Sequence, residues 1–396
     1  MTKKGFTYKG IYIFFLILYI LSLPLGAMNI GSFGSLLKVI AILPVAIAFL
    51  FGGSIHFSRP LTMQAIFTFF ALASILWSVS SDLSMSRALS YVLLFALIAS
   101  GAVFSYDAED IRKVKYALAW SSRLTAIVMF VFAEYINGRF TLNGIIQEDP
   151  NYLCAYFAFG VVYALGYLTD KNNPLPKKLL SVAELIIYLY LVLASGSRGG
   201  LIAIMSGAAV FLIFFKPDRK SYGIKRIAFI SLLFVSIFMI LEYLPQVLQI
   251  RFTLDDVVES GASNRIDIWR QTLDLFASGN LFRQAIGYGT ATIVSCFRNF
   301  GYASKHVSHN IFLETLAELG VIGLFAYSAA IVSFIKYSFK ERDKFAFAVI
   351  VCMFAASLSL SLYTFKPYFN IMLFIVMLQN VKTDDEESLK DDLIAD

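Results

Sequence analysis

The chain has 396 residues, of which 58% are hydrophobic and only 15% charged, against about 45–50% and about 25% in soluble globular chains. The excess runs the whole length, which excludes a soluble domain carried on one anchor, and the formal charge of +6 is modest. The 38 Phe and 21 Tyr suit a lipid-facing surface with aromatic belts. A membrane span needs about 20 mostly apolar residues, fewer where short or kinked. That rule predicts helices at about 11–27, 33–52, 61–78, 88–105, 116–135, 151–168, 179–195, 199–215, 227–244, 309–335, 345–363 and 368–381. The first follows Met1-Thr2-Lys3-Lys4 and reads as an uncleaved helix rather than a secretory signal. The expected class is therefore all-α, a polytopic membrane protein of about 12 transmembrane helices with one large extracytoplasmic helical loop.

Basic residues set the direction. Lys3, Lys4 and Lys9 lie at the start, and Arg112, Lys113, Lys177, Lys178, Lys216, Arg219, Lys220, Lys225, Lys336 and Lys340 fall in alternate connections. The short connections on the other side hold only Arg87, Arg139, Arg198 and Lys366. Both termini are thus expected in the cytoplasm. The divisions are residues 1–244 as nine spans, 245–308 as the external loop, 309–381 as three more spans, and 382–396 as an acidic, solvated tail. Cys154, Cys296 and Cys352 form neither a disulfide framework nor a metal site.

Four outward constellations carry the chemistry. Asp149-Pro150-Asn151 opens a helix, where Asp caps and Pro suits the first turn. A cap does not exclude a binding role. Ser195-Gly196-Ser197-Arg198-Gly199-Gly200 is a tight turn before a helix whose first amides, with Arg198, could hold phosphate. Alternatively, Arg198 snorkels to lipid headgroups. In Ser263-Asn264-Arg265-Ile266-Asp267-Ile268-Trp269-Arg270, apolar residues at helical spacing predict an amphipathic helix capped by Ser263 or Asn264. Its Arg265 and Arg270 then contact either lipid phosphates or a ligand. Ser308-His309-Asn310 opens the longest late span, with Asn310 and Glu314 four residues apart on one face. His306 and His309 are the external histidines, and histidine exchanges protons near neutral pH. A capped helix with an incidental histidine is the alternative. Taken together, several arginines for an anion and a histidine for a proton suit transfer from a lipid-linked phosphate or pyrophosphate donor. No nucleotide phosphate-binding loop signature occurs, no nucleic-acid partner is expected, and neither cofactor nor metal is predicted.

Ser197-Arg198-Gly199-Gly200, Asn264-Arg265 with Trp269, Gly287-Tyr288-Gly289, and His309-Asn310-x-x-Leu313-Glu314 with Leu319-Gly320 and Gly323 resemble the O-antigen ligase and polymerase superfamily, as does Asp149-Pro150-Asn151. The match covers roughly residues 149–330. The resemblance implies a GT-C-like bundle in the bacterial inner membrane. Its activity would be metal-independent, inverting transfer of a glycan from undecaprenyl pyrophosphate to another lipid-linked glycan or to lipid A–core. It further implies that Arg198 and Arg265 hold the pyrophosphate and that His309 activates the acceptor hydroxyl or assists at the phosphate. Asn310 and Glu314 would support it, and Arg270, Asp149, Asn151 and His306 would bind substrate. The Asp-Pro-Asn motif inclines the reading toward a polymerase of O-antigen, capsular or exopolysaccharide repeat units, with ligase as the alternative. Chain-length regulators, flippases and membrane lipids are the implied partners. A lipid-linked oligosaccharide flippase is the rival from another class, but it should concentrate ionisable residues near mid-membrane.

Overall fold

The computed structural model describes residues 7–26, 36–136, 138–142, 149–170, 172–214, 231, 235–253, 261–340 and 343–382. The basic connection at 216–226 and the acidic tail from Asp384 lie outside them. The first helices are α1 (Tyr8–Leu21), α2 (Leu36–Phe51), α3 (Arg59–Ala73), α4 (Ser81–Ser100) and α5 (Ala108–Phe132). A hairpin of β1 (Ala133–Ile136) and β2 (Arg139–Leu142) follows, then α6 (Pro150–Ala155), α7 (Ala158–Thr169), α8 (Leu175–Ala194) and α9 (Arg198–Phe214). Beyond α10 (235–243) come α11 (Gln246–Arg251), α12 (Gly261–Ser278), α13 (Leu281–Ile286) and α14 (Ile293–Asn299). The last three are α15 (Ile311–Lys340), α16 (Lys344–Ser357) and α17 (Lys366–Leu378). Helices occupy the predicted places, although part of the predicted 227–244 element lies outside the described residues.

Five described stretches are long and apolar enough to cross a membrane, and five shorter apolar helices accompany them. The centre of the bundle is α17, in which every residue from Pro367 to Met377 is buried. A helix that is apolar all round belongs inside, and α17 packs against α4, α5, α15 and α16. Peripheral helices do the reverse. Phe14, Leu50, Phe69, Phe130 and Phe325 are exposed, a pattern that water would punish and lipid accepts. With no hydrophobic drive between helices in lipid, close contact matters more. Accordingly Gly207 of α9 leaves no room for a side chain, since a Cβ there would sit 2.8 Å from Cys352 of α16.

Several charges of the bundle are paired. The first turn of α5 is closed by a reciprocal Asp107–Asp110 capping box, and Lys9 bridges to both carboxylates. Lys115 pairs with Asp343 at 3.5 Å, and Arg123 with Glu184 at 2.9 Å while lying over Trp120.

Three local expectations change. The helix predicted to reach residue 135 stops at Phe132, and the chain turns into the hairpin, in register Ala133 with Leu142 and Ile136 with Arg139. Arg87, read from sequence as a connection residue, lies inside α4 with its guanidinium 4.9 Å from the Tyr363 ring centroid. In α12, described from Gly261 onward, Ser263 and Asn264 are helical residues rather than positions ahead of the helix.

A backbone lock joins the segment before α14 to α15. Within α15, Gly320 has φ 66° and ψ −170°, which breaks the helix. Into that break fit Gly287 and Gly289, with φ 74° and 104°. Tyr288 N–H donates to the Ala317 carbonyl at 3.3 Å, and Gly289 N–H to the Glu318 carbonyl at 2.8 Å. A Cβ on Gly287 would overlap the Glu318 carbonyl, and one on Gly320 the Ala285 carbonyl. The Glu318 carboxyl then accepts from Ala291 N–H at 2.8 Å and Ile293 N–H at 3.2 Å. The Gly-Tyr-Gly and Leu-Gly motifs are therefore a docking device for this segment.

Candidate active site

Asp149 caps α6, its Oδ1 accepting from Asn151 N–H at 2.7 Å and Asn151 Nδ2 at 2.8 Å, with Pro150 in the first turn. The Asn151 amide oxygen accepts from Arg139 Nη2 at 3.1 Å, and Arg139 Nε donates to the Ser195 carbonyl at 2.8 Å. Arg139 on β2 thus clasps two of the sequence motifs together.

The second motif is a tight, buried turn. Gly196 adopts φ 64°, and its carbonyl accepts from Arg251 Nε at 3.3 Å. Ser197 Oγ accepts from Gly200 N–H at 3.0 Å, which closes the first turn of α9. A Cβ on Gly200 would overlap Cys154 of α6, and one on Gly199 would overlap Ser359. These glycines let the N-terminus of α9, and Arg198 with it, sit against α6. Arg265 Nη1 comes within 4.0 Å of the place a Gly199 side chain would take.

The third component is the loop before α15. His309 sits in the left-handed region at φ 50°, where histidine is uncommon but tolerated. Its N–H donates to Glu314 Oε1 at 2.9 Å, an oxygen that also accepts from the hydroxyls of Ser308, at 3.2 Å, and Ser361. Asn310 caps the helix, its Oδ1 accepting from Phe312 and Leu313 N–H at 3.0 and 3.2 Å. Trp269 of α12 donates its indole N–H to the Ser308 carbonyl at 2.8 Å, tying the helix that carries Arg265 to the loop that carries His309. His309 Nδ1 is buried with no hydrogen-bond partner.

Electrostatic coupling ties these parts into one site. Burial lowers the Arg265 guanidinium from its ordinary pKa, Asp149 opposes the shift, and Arg198 adds to it. Arg139 is lowered by burial and by Arg251, Asp149 again opposing, with a further push from Arg265. His309 is held below the ordinary histidine value by burial first and Arg265 second, with Asp149 opposing and His306 reinforcing. Asp149 is the carboxylate common to all three.

Of the residues singled out in the sequence, Arg198, Arg265, His309, Asp149 and Asn151 are brought together. Asn310 and Glu314 act locally, as a cap and as the acceptor that shapes the His309 loop. His306 is exposed beside His309. Arg270 points away, exposed and paired with Asp267 of its own helix at 3.7 Å. Sequence reading missed Arg139, Arg251 and Ser361. For Arg139, Asn137-Gly138 was the available signal, a pair that favours a two-residue hairpin turn. Among the described residues no three His, Cys, Asp or Glu side chains gather as a metal cluster.

No curated protein matches this chain in sequence. Residues 183–328, from α8 into α15, match the family model for O-antigen ligase and include Arg198, Arg265, His309, Asn310 and Glu314, which supports the resemblance to the O-antigen ligase and polymerase superfamily.

Proposed function

We propose that the protein transfers a glycan from an undecaprenyl-pyrophosphate-linked donor to an acceptor hydroxyl at the outer face of the bacterial cytoplasmic membrane, polymerising lipid-linked repeat units. The observation that carries this reading is the meeting of Arg198, Arg265 and His309, drawn from three separate segments, with Arg265 within electrostatic reach of both others. Arginine suits a phosphate leaving group because its fork of donors matches phosphate oxygens and its charge persists at any working pH. Burial and Arg265 hold His309 below its ordinary pKa, which favours the neutral imidazole that a general base requires. In the reaction His309 accepts the acceptor's hydroxyl proton while that oxygen bonds to the anomeric carbon. The bond to the pyrophosphate oxygen breaks, and the electron pair leaves with undecaprenyl pyrophosphate. One displacement from behind inverts the anomeric centre. The arginines stabilise the charge gathering on the leaving group, without a metal.

The reading places about twelve helices across the membrane, both termini in the cytoplasm and residues 245–308 over the outer face. The family description favours a second reading, a ligase with lipid A–core as acceptor.

The deciding experiment incubates purified protein with synthetic undecaprenyl-pyrophosphate-linked repeat units and EDTA. A ladder of longer lipid-linked glycans is the expected result. Transfer only after lipid A–core is added would make the protein a ligase. Movement of labelled lipid across vesicles without new glycosidic bonds would sink both readings.

A further inference from the structure

The turn before α9 is gripped by two arginines that no motif contains. Arg139 Nε and Arg251 Nε donate to consecutive carbonyls, Ser195 and Gly196, at 2.8 and 3.3 Å. They arrive from different directions, Arg139 from β2 and Arg251 from the end of α11. The approach of Arg251 is built into the backbone, because Gly196 has φ 64° and a Cβ there would lie 3.0 Å from Arg251 Nε. The turn they hold leads directly into Arg198, and Arg139 also feels the charge of Arg265.

Four guanidinium groups thus gather around the same turn. Half-buried like charges repel each other, and an anion seated among them would turn that repulsion into attraction. Four guanidinium groups from separate elements are matched better by a pyrophosphate, which carries more charge and presents two phosphoryl groups side by side, than by a single phosphate. We propose that Arg139 and Arg251 form a second arginine pair of the anion cradle, so that the site recognises a diphosphate in preference to a single phosphate. This rests on the donor reading above and adds to it both the residues and the selectivity.

The test uses full-length protein in detergent, with inorganic pyrophosphate and inorganic phosphate as probes, followed by calorimetry and thermal unfolding at low and high salt. Wild type should bind pyrophosphate at least ~10-fold more tightly than phosphate, the scale of one charge-assisted contact. Arg139→Gln and Arg251→Gln should each lose about tenfold in pyrophosphate affinity and shrink the preference. Arg139→Lys should recover part of it, because the charge remains and the fork does not. Each Gln variant also loses its arginine's bonds to the turn, so the readout is the rise in unfolding temperature that pyrophosphate produces, which should shrink in both variants. A purely structural role predicts a lower unfolding temperature with the pyrophosphate-dependent rise and the affinity unchanged, and that outcome would overturn the proposal. If wild type binds pyrophosphate and both Gln variants bind it equally well, the second pair is refuted while the donor site stands. Wild type that binds no pyrophosphate would refute the donor reading itself, and this proposal with it.

Discussion

Glu314 offers the most informative perturbation, because it is buried at 1% exposure yet bonded to the backbone of His309. Its Oε1 accepts from the His309 N–H, from Ser308 and from Ser361. In Glu314→Leu the two hydroxyls can turn elsewhere, as Ser308 Oγ already donates to the Asn310 carbonyl at 3.0 Å. The His309 N–H has no such freedom, and a buried orphan donor costs about 1–3 kcal/mol. That loss falls on a residue whose φ of 50° itself costs on the order of 1–3 kcal/mol to hold. The two quantities are comparable, so the loop should leave the left-handed conformation and take the imidazole out of line. At about 1.4 kcal/mol per factor of ten, the expected fall in kcat is ~10- to 100-fold. The donor KM should change little, because Arg198 and Arg265 stand on other elements. Glu314→Gln keeps a carbonyl oxygen for the His309 N–H and should recover most of the rate. The assay is steady-state glycan transfer from a lipid-linked donor, with circular dichroism to verify folding. Wild-type kcat in folded Glu314→Leu would refute the reasoning.

Four further outcomes are expected. Because His309 is held below its ordinary pKa, kcat/KM should rise with pH along a limb lying below about 6.5 and then level off, and a limb above 7 would contradict the assignment. The same depression means that the unfolded chain binds more protons than the folded one in that window. Stability contributed by His309 is therefore present above about 6.5 and lost as pH falls through the folded value, which acid-dependent thermal unfolding will register. Gly320→Ala forces a side chain against the Ala285 carbonyl at φ 66°, where the backbone term alone costs about 1–2 kcal/mol. A sharply lower unfolding temperature is expected, and an unchanged one would show that the lock can yield. Arg265→Lys should impair transfer by at least ~10-fold through loss of the forked contact, whereas full activity would reduce Arg265 to a mere charge.

The helical architecture was readable because the period and length of apolar runs are large signals, and α17, apolar on every side, is buried as such a segment requires. The site was readable as far as it is made of motifs. Arg198 and His309 stand at helix starts, where turn chemistry marks the chain locally. Arg139 was hidden because the apolar run through Val131 and Phe132 continues into the hairpin as Phe140 and Leu142, and period alone does not announce the change from helix to strand. Arg87 was misplaced for a related reason. Its polar neighbours Asp82, Ser84 and Ser86 resemble a loop, yet they form the first turns of α4, where Arg87 finds the Tyr363 ring. Glu314 was legible as a residue on the Asn310 face but not in its role, since the bond to the His309 N–H depends on a left-handed residue that sequence does not announce.

The arrangement also bears on the order of events. On the proposed reading Arg265 would do two things at once, contributing charge to the anion cradle and, after burial, holding down the basicity of His309. Beside an uncompensated Arg265 the imidazole is a weaker base than an ordinary histidine. An anion seated among the arginines would offset their charge, and the pKa of His309 would climb toward its ordinary value. A stronger base then appears only when a leaving group is in place to accept the electron pair. The acceptor hydroxyl would consequently be activated against a bound donor rather than against water in an empty site. That coupling follows from like charges set near a buried imidazole, and needs no conformational change.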